Sequence, residues 1–264
     1  MSAVLAVLDA NASGRPVLST AIAIADLLDA TVTSLHVREQ ASSAAPGLAR
    51  AGGVELREVS GAPVRQIVAA AQDSDVAALV LGVRGVLGGP QPAGHTTLEV
   101  ITQIPKPVAV VPPHAQPPER INRILVPLDG TSESSHALDD TIRLAHRRGL
   151  EILVLHIYSP ATVPAFSDHE PHATLTWDQE FLRRHVPTPH DRITLLRRLG
   201  VPADDIVAVA RETNSDLIVL AWSQDLTPGH ARVISETLAH TDVPVLLLPV
   251  QQADGAWPSH KPAQ

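Results

Sequence analysis

Two aspartates, Asp9 and Asp129, each follow a short apolar run, Val4-Leu5-Ala6-Val7-Leu8 and Ile124-Leu125-Val126-Pro127-Leu128. In open parallel sheets ligands sit beyond the carboxyl ends of the strands, so residues that close such runs are the ones to examine. A second segment of interest begins at Gly82-Val83-Arg84-Gly85 and ends at Gly94-His95-Thr96-Thr97, ahead of a helical stretch with Leu98 and Ile101 turned inward. Glycines let the backbone approach an anion, and a helix start offers free N–H groups at the positive end of its dipole. Thr96 or Thr97 adds a hydroxyl, and Arg84 offers a guanidinium for a phosphate. That chemistry is the holding of a phosphorylated ligand. Taken alone, the loop reads equally as a glycine-rich surface turn.

Other constellations carry less. Asp168-His169-Glu170-Pro171-His172 gathers metal-capable side chains, but the proline breaks helical spacing and the pattern is not H-E-x-x-H, so a solvated polar loop is expected and no metal. His36 and His156 stand at equivalent places in apolar runs, which suits core or sheet-edge histidines better than catalytic ones. Neither lysine, Lys106 or Lys261, follows a glycine, so a Walker-type phosphate loop is excluded, and no G-x-S-x-G elbow occurs. Without cysteine there is no thiolate nucleophile, thiolate metal site or disulfide.

The elements that must position these residues occur twice. Thr31–Val37 answers Glu151–Ile157, Gly61–Val68 answers Gly200–Val207, Asp75–Gly82 answers Asn214–Ala221, and Pro107–Pro112 answers Pro244–Pro249. Recurrence in one order marks two copies of one folding unit. Strands are expected near 3–8, 31–37, 54–59, 77–82 and 107–111, then near 122–128, 151–157, 193–198, 216–221 and 244–248. Between them Val17, Leu18, Ala21, Ile22, Ala25 and Leu28 share one helical face, as do Val64, Ile67, Val68 and Ala71. Strands that are apolar nearly throughout, alternating with helices, predict an α/β fold of two tandem, doubly wound parallel five-stranded sheets. Copy 1 spans 1–112, the proline-rich 113–120 is a linker, copy 2 spans 121–250, and 251–264 reads as a polar, disordered tail.

The first two strands repeat at an offset of 120 residues and the third and fourth at 139, so copy 2 has gained 19 residues near 158–190. There Thr176-Trp177-Asp178-Gln179 reads as a capping box. A helix near 176–185 is expected, with Trp177 and Phe181 buried on one face.

Composition narrows the function. The net charge is −8 with only two lysines, which argues against a nucleic-acid surface. The opening residues lack a basic start and break at Asp9, and no apolar run approaches the roughly 20 residues of a membrane span. A soluble, cytoplasmic protein is expected.

The aspartate closing strand one, the glycine loop after strand four and the Pro-Val-apolar last strand together resemble the universal stress protein family. Asp129-Gly130-Thr131-Ser132-Glu133-Ser134-Ser135-His136-Ala137-Leu138 is very similar to its D-G-S/T-x-x-S-x-x-A-L start. The resemblance covers both copies and so implies a tandem form. It implies strand order 3-2-1-4-5 in each copy, with the last strands of the two copies paired antiparallel across an approximate two-fold axis. It also implies an adenine nucleotide such as ATP, with Mg only as its companion, held by G-x2-G-x9-G-S/T after strand four and by the strand-one aspartate. In copy 1 this maps onto Asp9, Gly82, Arg84, Gly85, Gly94, His95 and Thr96. One residue is missing between Gly85 and Gly94, and His95 stands where Ser or Thr belongs. In copy 2 it maps onto Asp129, Ala221, Gln224, Gly229 and His230, a degenerate version in which Trp222 and Asp225 add bulk and negative charge. The expectation is a non-enzymatic stress-response protein with its nucleotide site in copy 1, and with homodimerisation left open. The alternatives are a nucleotide-free, partner-binding tandem domain and an adenine-nucleotide hydrolase, for which no base, nucleophile or metal cluster converges.

Overall fold

The structure, a computed structural model, describes residues 2–9, 14–38, 43–83, 95–116, 119–158, 171–226 and 231–250, with only the backbone of His95 and of 171–174. Copy 1 runs β1 (Ala3–Val7), α1 (Gly14–Leu28), β2 (Thr31–Arg38), α2 (Ala45–Ala51), β3 (Glu55–Ser60), α3 (Pro63–Ala71), β4 (Val76–Gly82), α4 (His95–Gln103) and β5 (Val108–Val111). Copy 2 runs β6 (Arg123–Pro127), α5 (Ser132–Arg147), β7 (Glu151–Tyr158), α6 (Pro171–His185), β8 (Ile193–Leu199), α7 (Pro202–Glu212), β9 (Leu217–Trp222), α8 (Arg232–His240) and β10 (Val245–Pro249). All ten expected strands are present, none with an end displaced by more than one residue.

The strands form one ten-stranded sheet in the order β3-β2-β1-β4-β5-β10-β9-β6-β7-β8. Each half therefore follows 3-2-1-4-5. Pairing is parallel within each half. The seam between halves is antiparallel, with Val245 opposite Val110 and Leu247 opposite Val108, all buried. Joining the halves this way removes two apolar sheet edges that would otherwise template aggregation.

Apolar residues alternate between the two faces of the strands, and each face carries its own core. One core packs α1, α2, α5 and α6. The other packs α3, α4, α7 and α8. Helices on both faces explain why the strands lack hydrophobic-polar alternation.

Two expectations about helices need correction. Ile22 does not share the buried face of α1: it is 39% exposed, while Ile24 takes a core position. Helix α6 begins at Pro171, so Thr176 lies inside it and is not a cap. Proline is well suited to a first helical turn because its missing N–H would lack an intrahelical acceptor there. Of the aromatic pair, Phe181 is buried with Leu182 and Val186, whereas Trp177 is half-buried at the margin. Helix α6 occupies the chain position of α2 and packs beside α5, as α2 packs beside α1. The short α2, with proline in its first turn, has too few turns for its periodicity to show in sequence.

Candidate small-molecule sites at the strand ends

In copy 2 the chain leaves β6 through Leu128, whose N–H donates to the Leu155 carbonyl at 2.9 Å, keeping it in register with β7. The Asp129 carboxylate then organises the start of α5. One oxygen accepts from the Thr131 N–H at 2.9 Å and from its hydroxyl at 2.8 Å; the other accepts from the Ser134 hydroxyl at 3.2 Å. Gly130 makes the turn at φ +84°, a conformation that costs other residues about 1–2 kcal/mol. Thr131 caps the helix by accepting from the Ser134 N–H, and Leu138 is fully buried. The D-G-T-x-x-S-x-x-A-L string is thus, residue by residue, a strand-to-helix turn.

At the end of β9, Ala221 and Trp222 continue the strand, and Trp222 is buried in the core shared with α7 and α8. Gln224 follows at φ +59°. Its amide reaches the other half of the molecule, donating to the Ile101 carbonyl at 3.2 Å and the Ile104 carbonyl at 2.8 Å. These carbonyls lie at and just beyond the C-terminal end of α4, where helical acceptors lack partners. Gln224, the counterpart of Gly85 in the degenerate loop, thus bonds across to the other copy.

Between β6, β7, β9 and α8 lies a cavity of about 360 Å³. Asp129 and Ala221, two of the residues that the family resemblance maps to the degenerate site, line it. Ser134, Ile157 and Trp222 line it too, together with Val233 at the start of α8. Sequence reasoning had assigned no binding role to Ser134 or Ile157. The strand-end rule applied to β7 as well as β6 would have singled out Ile157.

Copy 1 repeats part of this geometry. The Leu8 N–H donates to the Leu35 carbonyl at 2.9 Å. His36, 2% exposed, bonds the Leu8 carbonyl through Nδ1 at 2.8 Å, and His156 bonds the Leu128 carbonyl at 2.9 Å. Both are structural histidines holding the residue before the strand-end aspartate. The buried Thr97 hydroxyl donates to the Gly82 carbonyl at 3.0 Å, tying α4 to β4. Thr96, beside it in the first turn of α4, is half-exposed. A side chain on Gly82 would stand 3.1 Å from Val17, a tight approach that favours glycine. Arg84, Gly85, Gly94, Gly229, His230, the side chain of His95, and Asp168-His169-Glu170 lie outside the described residues.

Beside the Asp129 turn, α6 builds a ring cluster. The His156 ring lies tilted at 4.7 Å from Phe181 and 5.5 Å from Trp177, and Phe181 lies 4.6 Å from His185. The Ser135 hydroxyl and His185 Nδ1 are hydrogen-bonded at 2.8 Å. Burial holds the His185 pKa below its ordinary value, helped by His156 and Arg184, while Asp129 acts in the opposite sense. On the outer face of α6, Arg183 and Arg184 hold the Glu180 carboxyl down at about 2.

Among the described residues no group of three or more His, Asp or Glu side chains is placed to hold a metal ion. No described helix is long and apolar enough to cross a membrane.

At the level of sequence no curated protein matches the chain. Among solved structures it is similar along most of its length to a universal stress protein from Archaeoglobus fulgidus, at 17% identity and a TM-score of 0.67. That alignment covers 94% of this chain and 96% of the other. A universal stress protein from Pseudomonas aeruginosa aligns over 94% of this chain and 93% of its own, at 14% identity and a TM-score of 0.65. At such identities the likeness establishes the fold, and it extends to the paired arrangement of the two halves. The family model for universal stress proteins matches residues 120–249, the half that carries the full D-G-T-x-x-S-x-x-A-L turn. By that match residues 120–249, the second half of the chain, belong to the universal stress protein family, and copy 1 repeats their fold.

Proposed function

We propose that this is a non-catalytic, cytoplasmic stress-response protein that holds an adenine nucleotide, with Mg where the nucleotide brings it, in copy 1 and not in copy 2. The nucleotide would lie against Asp9, Gly82, Arg84, Gly85, Gly94, His95 and Thr96. The observation that carries the asymmetry is Gln224. It stands in copy 2 where Gly85 stands in copy 1, and its side chain is committed to the carbonyls of Ile101 and Ile104. Phosphate oxygens need bare backbone N–H groups at a helix start, and a fixed glutamine does not open that approach. In copy 1 the buried Thr97 secures α4 to β4 while Thr96 remains half-exposed.

Thermal-shift titration with ATP, ADP and AMP tests this reading. Ligand at tenfold over its Kd should stabilise the wild type by about 1.4 kcal/mol. Gly85→Trp should abolish the shift and Gly229→Trp should leave it intact. Loss in the Gly229 variant alone would move the nucleotide to copy 2. Absence of any shift at millimolar nucleotide would favour a nucleotide-free, partner-binding domain. Steady-state ATP turnover above that of a Gly85→Trp control would make the protein an enzyme.

A further inference from the structure

Away from the strand ends, the last turns of α1 meet the end of α5 and the residues that lead into β6. Between them lies a cavity of about 230 Å³. Pockets for drug-sized ligands run from roughly 300 to 1,000 Å³, so an occupant here has only a few heavy atoms. The apolar residues beneath the cavity, Leu27, Ile121 and Leu150 among them, are buried in the core. Asp26, Arg120, Asn122 and Arg148 are exposed and form its polar rim. Arg192 joins them from just ahead of β8, where its guanidinium donates to the Gly149 carbonyl of the cavity wall at 3.2 Å.

Three guanidiniums and one carboxylate thus surround a single small space. Arg120 stands 3.4 Å from Asp26 through Nε, an exposed contact that leaves most of its N–H donors open. Among the described residues Arg148 has no carboxylate within ion-pair distance. The neighbouring Glu151 is taken up by Arg123 at 2.8 Å. A helix C-terminus favours cations, which accounts for Arg147 and Arg148 at the end of α5. It does not account for Arg120 or Arg192, which belong to no helix. The α5 carbonyls are also served already: Leu144, Ala145 and His146 accept from the N–H groups of Arg148, Leu150 and Gly149. In a chain of net charge −8 this gathering is local, and beyond a Debye length of about 8–10 Å distant carboxylates do not offset it. The guanidiniums repel a cation, and a neutral apolar molecule finds no open apolar wall.

We infer that this cleft between the copies binds a small, multiply charged oxyanion, a phosphate or a short dicarboxylate, bridged between Arg120 and Arg148. Guanidinium forks match the paired oxygens of such groups and are weakly hydrated, so they surrender little water on contact. The anion competes with Asp26 for Arg120. The site shares no residue with the copy 2 strand-end cavity and rests on no part of the nucleotide reading.

Titration calorimetry with inorganic phosphate and with succinate, on the full-length chain at an ionic strength held by KCl, tests it. At least one of the two should bind saturably, and the tighter of them names the charged group. Arg120→Gln and Arg148→Gln should each weaken that binding at least about tenfold. Asp26→Asn should tighten it about twofold to fivefold, the size of an exposed charge pair. Arg65→Gln, which alters an exposed arginine on α3, should change nothing. Gly85→Trp should keep the site that the Arg120 and Arg148 variants weaken, which separates it from the proposed nucleotide site. Thermal melting checks that each variant is folded, and if one arginine variant is not, the other decides. Wild-type affinity in the folded arginine variants overturns the inference, as does absence of saturable binding at millimolar anion. Binding lost in Gly85→Trp and kept in the arginine variants would put the anion in copy 1 and overturn it as well. Loss of nucleotide in Gly85→Trp with intact anion binding would leave both assignments standing.

Discussion

Copy 1 and copy 2 share strand order, helix placement and even the histidine that bonds the residue before the strand-end aspartate, yet their strand ends are furnished differently. All six aromatic residues of the chain, Tyr158, Phe166, Trp177, Phe181, Trp222 and Trp257, fall in the second half. Glycines cluster instead after β4, where copy 1 has Gly82, Gly85, Gly88, Gly89 and Gly94. At the end of β9 the corresponding places are taken by Ala221, in the cavity wall, and Gln224, bonded to α4. The scaffold fixes where a ligand can sit, because the parallel strands within each half all end on one edge of the sheet. The side chains then set how an anion can be met, because a helix start offers it bare backbone N–H groups only where no side chain stands in the way.

The helix after the second strand gives the largest stability contrast. Phe181 is buried under α6, whereas its counterpart helix α2 presents the half-buried Leu48. Phe181→Ala should cost about 3–5 kcal/mol in denaturant unfolding. Leu48→Ala should cost less, and Trp177→Ala should also fall below the Phe181 value. Equal losses at Phe181 and Leu48 would break the contrast and make the insertion energetically equivalent to the short helix.

The strut between copies gives the next effect. Gln224→Ala leaves the Ile101 and Ile104 carbonyls without their side-chain donor, at a cost of about 1–3 kcal/mol. Gln224→Gly loses the same bonds but relieves the backbone held at φ +59°, which returns about 1–2 kcal/mol. The glycine variant should therefore be the more stable of the two. If both match wild type in a melting experiment, Gln224 is no strut, and the case for excluding phosphate from copy 2 weakens with it.

The smallest effect is one of pH. His185 has a folded-state pKa below its ordinary value, chiefly through burial, so the unfolded chain takes up the proton first as pH falls. Its contribution to stability is complete above about pH 6.5 and is lost as pH drops from there toward the depressed folded value. Wild type should lose melting temperature across that window, and His185→Gln should lose less. His36 and His156 occur in both proteins, so the difference between the two curves isolates His185. A variant curve parallel to wild type throughout would remove the histidine from the acid response.

Much of the architecture was legible because two copies check each other. An apolar run such as Ile218–Leu220 is ambiguous alone, but its match to Leu79–Leu81 at a constant offset makes both strands. Helix α2 was not legible, since seven residues give only two turns. The start of α6 was missed because Thr176 and Gln179 have capping spacing, and spacing alone does not reveal that a helix is already under way. Ile22 was misplaced for a related reason: a helix rich in Ala, Val, Leu and Ile carries apolar residues beyond its buried stripe, and only the sheet decides which face is covered.

Sequence by itself determined the repeated unit, the strand positions, the strand-end aspartates and the glycine asymmetry, all of which follow from local periodicity and from one half compared with the other. Family resemblance supplied the antiparallel seam. Only the tertiary structure decided that Gln224 crosses to α4 and that Ser134, Ile157 and Trp222 line one space. These are contacts between residues up to about a hundred and twenty positions apart, formed when strand ends and helix starts are brought together by the sheet. No local pattern encodes such distances, because the partner of each side chain is set by packing.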